Sequence, residues 1–240
     1  MPPTLDDALA SAAQLGPFFT IAPLRSRDAE QAWWPLNTLP ADVLTRQLAA
    51  TSGFLGTGDS RIESRTLGSI LHLGAAAALC SPLLAVAAQH GYVPPLTAAN
   101  VDIGYPPVGP LRLSLNTALT PPVQPARLPE LADQLIAVAL DGLLEPFTAR
   151  LTAIGPLPEQ TLAGNAFSSL AAAARLIEPA AAGRRARVLV DLMSRRSPLL
   201  AGAGDLHWQQ PGGHEYFRRR NCCLFYRIPG AGTCGDCILD

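Results

Sequence analysis

The chain has 240 residues, of which 48% are hydrophobic and only 15% charged, and its formal net charge is −1. Such a chain can bury a substantial core and is too apolar to be disordered, and it has no overall charge to attract nucleic acid or an anionic membrane. Apart from its histidines, its basic residues are all arginine, which excludes a lysine nucleophile or Schiff base.

The first ten residues hold Asp6 and Asp7 but no basic residue. They lack the charged start of a secretory signal, so the expected location is the cytoplasm. Leu5 to Leu15 has helical spacing and stops at Gly16-Pro17, and Phe18 to Leu24 is a short apolar run compatible with strand or loop. Trp33 and Trp34 follow; paired aromatics can stack on a ligand but more often close the edge of a core. Pro40-Ala41-Asp42 opens a helix that runs through Ala50, because proline is accepted in a first turn and an early acid suits the helix dipole. Gly53 to Gly58 superficially resembles a phosphate loop, but no strand precedes it and no acidic partner follows it suitably. The chain is therefore not expected to bind NAD(P)H or flavin itself.

Thr66 to His90 carries no formal charge and exceeds the roughly 20 residues that span a bilayer. Gly68, His72, Gly74, Gln89, the Ser81-Pro82 break and an alanine-led composition argue instead for two buried helices meeting near Pro82. Within them Cys80 reads as a small buried hydrophobe and His72 as a core histidine. After Gly91 the pattern alternates: Val101 to Tyr105 and Leu111 to Asn116 form two short strands joined by the proline-rich turn Pro106 to Pro110. Thr120 to Pro129 reads as a surface connector. Helical periodicity returns over Leu128 to Ala153, with a break at Pro146, then over Pro158 to Ile177 and Gly183 to Met193.

Ser197 to Gly213 reads as a loop feeding the C-terminal segment, where Cys222-Cys223 and Cys234-Gly235-Asp236-Cys237 gather four of the five cysteines. In a chain expected to remain in a reducing compartment, this clustering favours a metal site over a disulfide framework. Four thiolates suit tetrahedral zinc or a [2Fe–2S] unit. The adjacent first pair disfavours a single small ion, because neighbouring side chains in an extended strand point to opposite faces unless the backbone bends. Pro229 to Gly232 is a turn that folds the second pair back on the first. His207 and His214, with Trp208 beside the former, are further candidate ligands, although four cysteines already complete a shell. Arg218, Arg219 and Arg220 could offset the charge of four thiolates or contact an anionic iron chelate or donor protein; a solvated basic strand is the competing reading.

The run from Arg219 to Gly230, closing with Cys234 to Cys237, resembles the C-terminal CC-x10-CxxC signature of the FhuF-like ferric-siderophore reductases. Gly164 to Leu170 and His90 to Pro95 resemble that family as well. The resemblance implies a [2Fe–2S] cluster on Cys222, Cys223, Cys234 and Cys237. It also implies an oxidoreductase passing one electron to a ferric siderophore, of the hydroxamate type, and releasing ferrous iron. With no nucleotide site expected, electrons would come from an external donor such as a ferredoxin or a flavin reductase. Peripheral association with the inner membrane is compatible with this picture, and no nucleic-acid partner is expected. The other reading is an iron–sulfur electron carrier or sensor without a siderophore pocket. The expected fold is mainly α with a few short β-strands (α+β): a helical scaffold over 1–204 with a C-terminal iron–sulfur segment over 205–240 docked on it.

Overall fold

In the computed structural model, residues 4–26, 31–55, 62–106, 110–120, 126–177, 182–207 and 217–239 are described. The fold is mainly α with small sheets: helices α1 (Leu5–Ala13), α2 (Ala41–Leu55), α3 (Ser64–His90), α4 (Leu128–Leu135), α5 (Glu145–Ile154), α6 (Glu159–Ile177) and α7 (Gly183–Arg196) surround one continuous apolar core. Helix α1 begins at a reciprocal cap, in which Thr4 accepts from the Asp7 N–H and the Asp7 carboxylate accepts from the Thr4 N–H.

Helix α3 is the axis of the molecule, packing against α1, α2, α6 and α7. The expectation of two helices meeting near Pro82 is corrected, since a single helix runs through it. An interior proline costs about 3 kcal/mol through its missing N–H and a carbonyl clash. Burial outweighs that cost, because both halves of α3 face neighbouring helices and Ser81 to Ala88 is buried throughout. By length and composition α3 could cross a membrane, but 78% of its most apolar window is buried inside the fold. Gly91 ends it in the left-handed conformation at φ 78°, its N–H bonding the Ala87 carbonyl at 3.0 Å.

The break expected at Pro146 takes another form. Ile136–Leu144 is a π-helical stretch between α4 and α5, and Pro146 falls in the first turn of α5, where a missing N–H is tolerated. Strands β3 (Val101–Gly104) and β4 (Arg112–Leu115) pair antiparallel with Ile103 opposite Leu113. Two short additions, β1 (Ile21–Ala22) and β2 (Trp34–Pro35), extend them into a sheet of order β1-β4-β3-β2. Trp34 thus serves as an edge strand, while Trp33 lies so close to Gly104 that a Cβ there would meet its ring at 3.1 Å. The middle of the turn between β3 and β4 (107–109), residues 121–125 of the 120–129 connector and the end of the 53–58 glycine run lie outside the described residues.

At the C-terminal end, the stretch expected as loop contributes β5 (Gly204–Leu206), which pairs antiparallel with β6 (Phe217–Arg219). The division expected at residue 204 falls at the start of this pair. Phe217 anchors the segment in the main core, stacking on Phe167 of α6 with ring centroids 4.6 Å apart.

Candidate metal centre

Alternation along β6 separates the arginine run. Phe217 and Arg219 point inward and Arg218 outward, as a two-residue period requires. Arg219 is only 2% exposed, and its Nη1 donates to Asn165 Oδ1 of α6 at 3.0 Å. Arg220 is at the surface, paired with Asp205 at 2.6 Å. Three like residues in sequence thus have different environments, one of them a buried cation beneath the cysteine segment.

Directly after Cys222-Cys223 the backbone bends at Leu224, the one non-glycine residue with positive φ (67°) among those described. That conformation costs roughly 1–2 kcal/mol for an L-residue. It turns main-chain donors back onto the thiols: the Leu224 N–H meets Cys222 Sγ at 3.3 Å and the Phe225 N–H bonds Cys223. The second pair repeats the device, with the Asp236 N–H on Cys234 and the Leu239 N–H on Cys237 Sγ at 3.3 Å. Every one of the four sulfurs therefore accepts a backbone N–H from two residues further on. Gly230 and Gly232, at φ 79° and 74°, reverse the chain between the pairs. Cys223 and Cys234 consequently bond to each other, with Cys234 as donor.

This contact dominates their acidities. The Cys234 thiol, aided by the Phe225 N–H and the Arg219 charge, brings Cys223 down to about 6 against the opposing effect of burial. Cys234 is pushed upward, chiefly as the donor to Cys223 and then by burial. Cys80 lies far from this segment in sequence, fully buried in α3, and burial alone raises it to about 12.

The segment is fixed to the helices through hydrogen bonds. Ser69 Oγ of α3 donates to the Cys223 carbonyl at 2.7 Å, and Thr161 Oγ1 of α6 to the Cys222 carbonyl at 3.2 Å. Asn165 Nδ2 holds Ser69 through its carbonyl at 3.0 Å, and Ser168 Oγ donates to the Asp236 carboxylate. The Arg219 N–H closes the loop on the Asp236 carbonyl at 3.1 Å. Gly164 leaves room for this fit, because a Cβ there would stand 2.0 Å from Asn221 Oδ1 and 2.9 Å from Arg219 Nη1 and would push those side chains aside.

Sequence reasoning did not assign Ser69, Thr161, Asn165 or Ser168 to the site. For Asn165 and Ser168 a signal existed, since Gly164 to Leu170 is a stretch of family resemblance that places polar residues inside an otherwise apolar helix. His207 is exposed on the surface; Trp208 and His214 lie outside the described residues. His72 is buried on α3, its Nε2 3.0 Å from Thr148 Oγ1, and burial and then the Arg219 charge hold it at about 4.

Among the described residues, no three His, Cys, Asp or Glu side chains converge as a ready-made mononuclear metal site. The donor set nevertheless fits an iron–sulfur group: four thiols in one segment, a main-chain N–H on each sulfur and one buried cation beneath them. Residues 219–237 match the model of the FhuF 2Fe-2S C-terminal domain. No curated protein matches the chain. The match covers 19 of the 240 residues, and for this C-terminal segment it indicates a [2Fe–2S] cluster.

Proposed function

We propose that this protein is a cytoplasmic siderophore-iron reductase, with Cys222, Cys223, Cys234 and Cys237 holding its cluster. The observation that carries the reading is the FhuF-type segment itself, in which each of the four sulfurs receives a main-chain N–H. When bound, a cluster of this kind supplies a one-electron centre whose potential can lie low, near about −400 mV in plant-type examples.

The chain's own residues prepare the place. Ser69 and Thr161 fix the two carbonyls of the adjacent cysteines, and the bend at Leu224 lets neighbouring thiols share one site. Arg219 offsets the charge of the thiolates from below. Cys222 and Cys234 remain partly exposed, leaving one edge open to a redox partner. On the substrate side, siderophore oxygens are hard donors that favour ferric iron, so reduction weakens the complex and lets the metal leave. The expected partners are a hydroxamate-type chelate and an external donor such as a ferredoxin or a flavin reductase. Arg218 on β6 and Arg220 just after it are exposed, where they can steer an anionic partner.

The test reduces the cluster-loaded protein chemically, removes excess reductant and adds ferric siderophores with a ferrous trap. Cluster reoxidation should match trapped ferrous iron one to one. A reduced cluster that ignores every ferric chelate yet exchanges electrons with another redox protein would make the chain an electron carrier instead.

A further inference from the structure

We propose that the ligands of the two irons are crossed between the cysteine pairs: Cys223 and Cys234 hold one iron, and Cys222 and Cys237 hold the other. The inference rests on the four-cysteine ligand set proposed above and not on the substrate. Four thiolates can be divided into two pairs in about three ways, and the structure favours this one.

Contact joins the first pair. Each iron of a [2Fe–2S] cluster takes two thiolates and two bridging sulfides in a tetrahedron. Two thiolates on one tetrahedral metal, with metal–sulfur bonds of about 2.3 Å, stand roughly 3.8 Å apart. Ligands of different irons are held further apart by the sulfide bridge between them. Sulfurs close enough to hydrogen-bond are therefore spaced as two ligands of one metal are. Cys223 and Cys234 have this relation, with the Cys234 thiol donating to Cys223 across the chain reversal at Gly230 and Gly232.

Orientation separates the adjacent cysteines. Cys223 is 2% exposed and Cys222 only partly buried, so the two side chains leave the backbone toward different surroundings. Two helices fix the backbone in that state, α3 through Ser69 on the Cys223 carbonyl and α6 through Thr161 on the Cys222 carbonyl. The second pair shows the same contrast, with Cys237 8% exposed and Cys234 partly exposed. Once Cys223 and Cys234 are taken by one iron, Cys222 and Cys237 complete the other. Both of these sulfurs already accept a main-chain N–H at 3.3 Å, from Leu224 and Leu239. Crossing gives each iron one buried and one partly exposed thiolate, and it makes the cluster a staple between the bend at Leu224 and the C-terminal turn.

The test keeps the wild-type sequence. The segment from Cys222 onward begins with a cysteine, so it can be synthesised and ligated to the rest of the chain without changing a residue. Samples deuterated at the β-carbon of a single cysteine are loaded with cluster and reduced by one electron. One iron is then ferric and the other ferrous. Spin coupling makes the shifted NMR signals of β-protons on the ferric side move toward the normal range on warming, and those on the ferrous side move away from it. The signals missing from each sample belong to its labelled cysteine. Cys223 and Cys234 should fall in one class and Cys222 and Cys237 in the other. Any other division, or none, overturns the pairing. If a label removes no shifted signal, that cysteine is not a ligand, and the four-cysteine reading falls with the pairing. Serine variants that keep a cluster give a second readout, because an alkoxide is a harder donor that favours ferric iron. Cys223→Ser and Cys234→Ser should shift the reduction potential alike, and Cys222→Ser and Cys237→Ser by a different common amount. Shifts that group Cys222 with Cys223 overturn the proposal. Failure to reduce any ferric chelate would remove the reductase function and leave each of these outcomes as it is.

Discussion

The helical body and the cysteine segment are held by different forces. Around α3 the contacts are apolar and continuous, with Leu79, Leu83, Leu84 and Phe147 fully buried. The cysteine segment has few apolar anchors, chiefly Phe217 and Ile228, and is fixed by hydrogen bonds from Ser69, Thr161, Ser168 and the Asn165–Arg219 pair. Apolar burial is non-directional and survives small shifts, whereas this bonded frame works only at one geometry. The body should therefore stand without its cofactor, and the segment should depend on it.

The largest expected effect separates the two regions. Serine at Cys222, Cys223, Cys234 or Cys237 should lower cluster content or distort the visible and EPR spectra, while far-UV circular dichroism stays near wild type. Cys80→Ala should leave cluster content intact. Cluster loss in the Cys80 variant alone would place a ligand in the body and erase the distinction.

Next comes a change confined to the body. Leu84→Ala should cost about 2–5 kcal/mol in denaturant unfolding, the range for truncating a fully buried leucine. Its cluster spectrum, taken below the melting temperature, should be that of the wild type.

His72 links body and segment through pH. Its folded value of about 4 lies below the ordinary 6.5, because burial and the nearby Arg219 charge disfavour the protonated ring. The stability it contributes is full above 6.5 and is lost as pH falls from there toward 4. At about 1.36 kcal/mol per pH unit the most it can account for is about 3 kcal/mol. Replacing His72 with Gln should flatten the loss of unfolding free energy between pH 7 and pH 4; an unchanged slope would remove His72 as its source.

The smallest effect lies within the arginine run. Arg219→Gln removes the buried cation and should cost about 1.5–3 kcal/mol, the value of a hydrogen bond to a charged group, while lowering the cluster potential. Arg220→Gln breaks an exposed pair worth about 0.2–1 kcal/mol and should move the potential less. Equal shifts from both would show that burial does not distinguish them.

Most helices were legible because their signals are local. Helical spacing from Leu5 that stops at Gly16-Pro17 marks α1, the pattern changes after Gly91 where α3 ends, and the apolar spacing of α6 and α7 defines their inner faces. The four cysteines were legible for the same reason, since their spacing and the Pro229 to Gly232 turn lie within one short stretch. Tertiary contacts decided the rest. Pro82 reads as a break in isolation, yet α3 passes through it because neighbouring helices bury both of its halves. Arg218 to Arg220 read alike until β6 pairs with β5 and turns Arg219 inward. Ser69 reaches Cys223 across 154 residues, and Asn165 reaches Arg219 across 54. Local propensity is written in neighbours along the chain, while partners at such separations are chosen only when the packing of α3 against α6 brings them within hydrogen-bond reach.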